Sequence, residues 1–237
     1  MIIIFIGKIM SRFESGAQGY DQRIPSRIPG YPLLQELSAA QLAERLPSQA
    51  HLLIIGGGTC TEILTMGSLR PGWRFTAVDP SADMLAIAEQ RLAAAGLLPR
   101  ATLWHGELAS LPRQSFDAAI CLLVLHFLLP PAKPALLQEM ARRLPPGAPL
   151  LLADLHQPAY PLERTIHGRC SVQLGLAPEA EQAMLDAMEQ DFHTQTPEQL
   201  AAQLRQAGFE EPQRYFQAQG VQAFCSLRSC SKSAALR

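Results

Sequence analysis

Short apolar runs alternate with segments of helical periodicity through most of this chain, and nearly every run stops at a glycine or an acid. Leu33 to Leu46 repeats apolar residues at helical spacing (Leu33, Leu37, Ala40), and Pro47 ends it. His51 to Ile55 is a strand-length apolar run that halts at Gly56-Gly57-Gly58. Thr61 to Met66 reads as helix, Arg70-Pro71-Gly72 as a turn and Arg74 to Val78 as a second strand ending at Asp79. Ser81 caps a helix with Leu85, Ala88, Leu92 and Ala95 on one face and Gly96 just past its end. Ala101–His105, Phe116–Cys121 and Leu150–Ala153 are further strands, with a helix at Ala135–Leu144 before the last of them. Such an order predicts an α/β fold, doubly wound, with a mostly parallel sheet and right-handed crossovers.

The end of the chain departs from this order. Thr196-Pro197-Glu198-Gln199 is a capping box with proline at the first helical position, and that helix closes at Gly208. Arg214–Gln217 and Val221–Leu227 then form two strands across a turn at Gln219-Gly220. An antiparallel hairpin therefore closes the sheet.

In an open parallel sheet, ligands sit beyond the carboxyl ends of the strands. The loop Gly56-Gly57-Gly58-Thr59 allows the backbone to approach a ligand closely. Asp79, at the end of the next strand, places a carboxylate where a ribose diol would lie. Together these features point to an adenosine-containing ligand. The glycines lack the full dinucleotide fingerprint, and no Gly-Lys-Ser/Thr follows to hold phosphates. Glu107-Leu108 after the third strand pairs an acceptor for an adenine amino group with an apolar cover for the ring.

The succession Leu52–Thr59, Val78-Asp79-Pro80-Ser81-Ala82-Asp83-Met84, Gly106-Glu107, Phe116-Asp117, Leu144-Pro145-Pro146-Gly147 and Ala207-Gly208-Phe209 resembles the class I S-adenosylmethionine-dependent methyltransferases. The resemblance implies a seven-stranded Rossmann-like sheet whose last strand is antiparallel. It also implies S-adenosylmethionine as cofactor and S-adenosylhomocysteine as product. Two positions depart from the pattern, which usually has an acid where Ile54 stands and a glycine where Cys60 stands. Tyr20-Asp21 and Ile28-Pro29-Gly30-Tyr31-Pro32 are similar to the carboxy-S-adenosylmethionine synthase branch, which acts in tRNA wobble-uridine modification. That branch implies cofactor contacts from Tyr31, Gly56, Gly57, Gly58, Asp79, Pro80, Glu107 and Leu108, to which we add Met84, Cys121 and Leu122. It has asparagine at the place of Leu122 and arginine at the place of Gln203, the cation for the cofactor's extra carboxylate. Gln203 thus favours ordinary S-adenosylmethionine, and Arg205 lies on another side of its helix.

With 237 residues the chain fits one large domain that needs no staple. Residues 1–19 read as a disordered extension, and Met1–Ile6 is too short to span a membrane. Residues 20–237 read as a single domain with an N-terminal helical cap and a substrate-side insertion at 158–195. Within that insertion Met184, Leu185 and Met188 fit a core or homodimer surface better than a substrate pocket. A net charge of −1 with scattered Lys and Arg gives no extended nucleic-acid surface. Five cysteines without metal-ligand spacing suit reduced thiols and a cytoplasmic location.

Asp154 and His156, just beyond the fifth strand, are the candidates for proton handling, while His126 in Leu125–Leu128 reads as part of a packed helix face. The expected activity is methyl transfer to a small molecule or modified nucleoside. The alternatives are a carboxy-S-adenosylmethionine synthase-like reaction and non-catalytic cofactor binding.

Overall fold

A computed structural model of the protein describes residues 17–230. Two helices lead in, α1 (Tyr20–Arg27) and α2 (Tyr31–Ala43). The alternating part follows as β1 (Ala50–Ile55), α3 (Thr61–Leu69), β2 (Trp73–Asp79), α4 (Ala82–Ala94), β3 (Ala101–His105) and β4 (Ala118–Leu122). After it come α5 (Ala132–Arg142), β5 (Pro149–Leu155), α6 (Glu163–Gln173), α7 (Glu181–Asp191), α8 (Pro197–Ala207), β6 (Gln213–Ala218) and β7 (Val221–Leu227).

The seven strands lie in the order β3-β2-β1-β4-β5-β7-β6, and only the pairings that involve β7 are antiparallel. Strand order therefore reverses between β1 and β4, which opens a crevice above their carboxyl ends. The fold expected from the sequence is the fold observed.

Side-chain alternation divides the interior into two layers. Leu52, Ile54, Phe75, Ala77, Ile120 and Leu122 face Leu34, Ile63, Ala88 and Leu92 from α2, α3 and α4. Leu53, Ile55, Val78, Cys121 and Leu152 face Leu137, Met140, Leu200 and Leu204 from α5 and α8. Near-continuous burial along β1, β4 and β5 is what a parallel sheet covered on both faces requires.

Several boundaries differ from expectation for local reasons. Phe116 and Asp117 precede β4 rather than opening it. Asp117 accepts from the His51 N–H at 2.7 Å and returns its own N–H to the His51 carbonyl, so it pins the start of β1. The capping box at Thr196 and Gln199 is present as read. Leu125–Phe127 is a single 3-10 turn rather than a helix face. Helix α6 carries no apolar stripe that would announce it, and α1 has Pro25 inside it. Most of the extension expected at 1–19 lies outside the described residues. Of the rest, Ala17 is buried and accepts from the Tyr20 N–H, so the packed part starts before residue 20.

Candidate functional site

The glycine loop is held in place by the end of β2. Gly56 and Gly57 donate their N–H groups to the Val78 carbonyl at 2.8 and 3.2 Å. Asp79 accepts from the Gly58 N–H at 2.8 Å with one carboxylate oxygen and from the Ser81 N–H at 2.8 Å with the other. The acid thus joins the loop after β1 to the turn that starts α4. Burial pushes its carboxyl up, and the two N–H donors oppose that. Each oxygen keeps a further lone-pair direction, so a diol can still be received.

Gly56 lies at φ +64°, and a Cβ there would fall 2.4 Å from Val124 Cγ2 in the loop after β4. The two loops that flank the crevice meet at this glycine, and only hydrogen fits between them. Gly58, at φ +50°, lies under the end of the buried Met84 side chain. Cys60, where a glycine was expected, adopts φ +58° and is fully buried, so a small side chain is accommodated at this strained position.

On the β3 side, Leu108 is buried and Glu107 is exposed. Their position is set from beneath by Arg143, whose guanidinium donates to the carbonyls of Leu108 at 3.0 Å, Leu111 at 2.7 Å and Pro112 at 2.9 Å. Arg143 immediately precedes Leu144-Pro145-Pro146-Gly147, and it shapes this loop from the opposite side of the chain. Pro80 is exposed at the turn, where its carbonyl meets the His105 ring nitrogen at 3.1 Å.

Over the glycine loop lies the N-terminal cap. Asp21 of α1 accepts from the Thr59 hydroxyl at 2.7 Å and from Arg91 of α4 at 2.8 Å. Arg91 also donates to the Thr59 carbonyl at 2.8 Å. Gly30, at φ +74°, turns the chain into α2 so that Tyr31 occupies the first helical position. Tyr31 is buried, with Thr61 and Gln35 as hydrogen-bonding neighbours, and burial raises its phenol and that of Tyr20.

Gly56, Gly57, Gly58, Asp79, Pro80, Glu107, Leu108 and Leu122 fall on the loops and strand ends around the crevice, and Tyr31 and Met84 lie in the first turns of α2 and α4. Cys121 does not join them through its side chain. That thiol is wholly buried in the α5/α8 layer, because alternation turns Cys121 and Leu122 to opposite faces.

Asp154 and His156 also differ from expectation. Asp154 is inside β5, with no exposed surface, and accepts at 2.5 Å from His126 Nδ1–H and at 3.3 Å from the His126 backbone N–H. Its second oxygen is buried and has no hydrogen-bond partner among the described residues. His156 is buried too, its Nδ1–H donating to the Gln195 carbonyl at 3.0 Å, and burial lowers its pKa. A role for Asp154 in chemistry would therefore pass through His126, which packs against the rings of Phe127 and Phe192.

Gln203 lies away from the site. Helix α8 runs from the bridge of Gln195 with His156, at the ligand edge, down to the bridge of Phe209 with Arg228 at the opposite edge. Gln203 stands in the lower half of that descent, and Arg205 is exposed and paired with Glu211 at 2.5 Å.

Sequence reasoning passed over Asp21 as a chemical group, and also Gln35, Glu62 and Arg91. Glu62 looks like an ordinary acid in a first helical turn, a position favoured by the helix dipole. Only the packing reveals that it is buried.

A model of the methyltransferase domain matches residues 53–150, the segment from β1 through the start of β5. The chain is similar to the carboxy-S-adenosyl-L-methionine synthase of Dichelobacter nodosus, with 26% identity over 216 residues covering 91% of each chain. Its fold is similar to that of magnesium protoporphyrin IX methyltransferase from Synechocystis PCC 6803, solved with S-adenosylhomocysteine bound. That match has a TM-score of 0.69 at 16% identity and covers 94% of this chain and 100% of the other. The mitomycin 7-O-methyltransferase matches with a TM-score of 0.62 at 19% identity over 83% of this chain, which spans 54% of that longer protein. Among the described residues no helix is long and apolar enough to cross a membrane.

Proposed function

We propose that the protein is an S-adenosylmethionine-dependent methyltransferase acting on a small molecule or modified nucleoside. The observation that carries this reading is the joint formed by Asp79, which locks a glycine loop, its first glycine closed to a Cβ, beside the crevice between β1 and β4. An adenosine fits the donor set: Asp79 for the ribose, Glu107 and Leu108 for the adenine, and the glycine loop for the chain that leads to the sulfur. When bound, the cofactor supplies an electrophilic methyl group on a sulfonium. The chain's own part is to hold the two reactants in line and to exclude water.

Tyr31 covers the glycine loop from above. Residues 158–195 serve as the substrate-side cap. Supporting this, the His167 ring nitrogen meets the Arg27 carbonyl at 2.9 Å, so α6 is joined to α1, which itself lies over the glycine loop. A homodimer is part of the proposal, supported by Leu162, Ile166 and Leu174, which stand exposed on and beside α6. So is a cytoplasmic location, supported by cysteines that are all free.

A second reading, a reaction on the cofactor like that named for the Dichelobacter relative, is favoured by similarity over 91% of both chains. Mass spectrometry of the copurifying ligand and of turnover mixtures separates the two. A methylated acceptor with S-adenosylhomocysteine supports the first, a carboxylated cofactor supports the second, and no affinity for any S-adenosyl compound refutes both.

A further inference from the structure

Glu62 is a buried carboxylate without a counter-ion among the described residues. It stands in the first turn of α3, directly after the glycine loop, and is 8% exposed. Gln35 Nε2 donates to its Oε1 at 3.0 Å. It forms no ion pair among the described residues. Arg91, a cation that acts on it, is committed to Asp21 and to the Thr59 carbonyl. The other ionisable groups close enough to interact with it are Tyr20, Asp21, Tyr31, Cys60 and Cys121, all of them neutral or negative. Its bond to Gln35 ties it to α2, the helix that Tyr31 opens, and it follows Gly58 of the glycine loop by four residues.

An isolated buried carboxylate is costly, and proteins hold one only where something compensates it. The Gln35 amide and Arg91 offset only part of that cost, since burial still drives the Glu62 carboxyl up, and Ile54 on β1 is apolar and buried. A ligand seated along the glycine loop would have Glu62 in the first turn of the helix that follows. S-adenosylmethionine brings two positive charges there, on the α-ammonium and on the sulfonium.

We propose that Glu62 is the anionic partner of the cofactor's positively charged amino acid end, a task for which the apolar Ile54 offers no group. This rests on the S-adenosylmethionine reading above. It makes Glu62 a ligand-binding residue, and it explains why an uncompensated acid is placed where folding alone would disfavour it.

The test is calorimetric titration of wild type, Glu62→Gln and Glu62→Asp with three probes. S-adenosylmethionine carries both charges, S-adenosylhomocysteine carries only the ammonium, and 5′-methylthioadenosine carries neither. Glu62→Gln keeps the shape and a partner for Gln35, so its fold, verified by melting, is expected to persist. Expected is a loss of about 10- to 100-fold in affinity for the charged probes, with 5′-methylthioadenosine unchanged and Glu62→Asp intermediate. Equal losses for the two charged probes assign the contact to the ammonium, and a loss confined to S-adenosylmethionine assigns it to the sulfonium. Equal weakening of all three probes, or of none, overturns the proposal. If the wild type binds none of them, the cofactor reading fails instead.

Discussion

Replacing Asp79 by alanine probes the joint on which the site depends. The change removes the acceptor of two N–H groups at once, those of Gly58 and Ser81, each bonded at 2.8 Å. A hydrogen bond to a charged group contributes about 1.5–3 kcal/mol, and a buried donor left without a partner costs about 1–3 kcal/mol. The Ser81 bond is buried while that of Gly58 is half-buried, so water restores part of the second. The free protein should lose about 2–4 kcal/mol, read from the midpoint of urea unfolding. Binding should weaken by a further ~10- to 150-fold as the ribose loses its charged acceptor. Unlike the loss at Glu62, this one should appear equally for S-adenosylhomocysteine and for 5′-methylthioadenosine. Asp79→Asn adds the pH dependence. Burial raises the folded carboxyl above its ordinary value of 3.8. Its contribution is therefore full in acid and fades as pH climbs through the raised value. The stability gap between wild type and Asp79→Asn should accordingly narrow from about pH 4 upward. A folded Asp79→Ala with an unchanged midpoint and affinity within about twofold would refute the reasoning and leave the acid as a helix-end charge.

Gly56→Ala should cost about 2–4 kcal/mol by thermal melting, from a left-handed φ and a Cβ 2.4 Å from Val124. Gly96→Ala, at φ +69° with nothing within 4 Å, should cost only about 1–2 kcal/mol. Asp21→Asn should change global stability by less than about 1 kcal/mol, because its pair with Arg91 is about a third exposed. Hydrogen exchange should nonetheless accelerate in α1, and an unaltered rate there would show that the latch does not hold the cap. Asp154→Ala leaves two donors of His126 without an acceptor and should cost about 3 kcal/mol or more in urea. Lost turnover with an unchanged midpoint would instead place the pair in the reaction.

The order of elements, the parallel sheet, the closing hairpin, the glycine loop and the acid at Asp79 were all legible in the sequence. Each is local: periodicity, caps and glycine act within a few residues of chain, and crossover handedness then leaves few topologies. Helix α6 escaped notice because its polar sequence carries no stripe. Whether Cys121 or Leu122 faces the crevice depends on which layer of helices covers each side of the sheet. Asp154 and His126, distant in sequence, become partners only when β5 lies beside the turn after β4. Glu62 is the sharpest case. In the sequence it is one more acid in a first helical turn, welcome near the dipole's positive end. Burial is a property of everything packed around it, α2 with Gln35 included, and only that packing leaves it without an ion pair among the described residues.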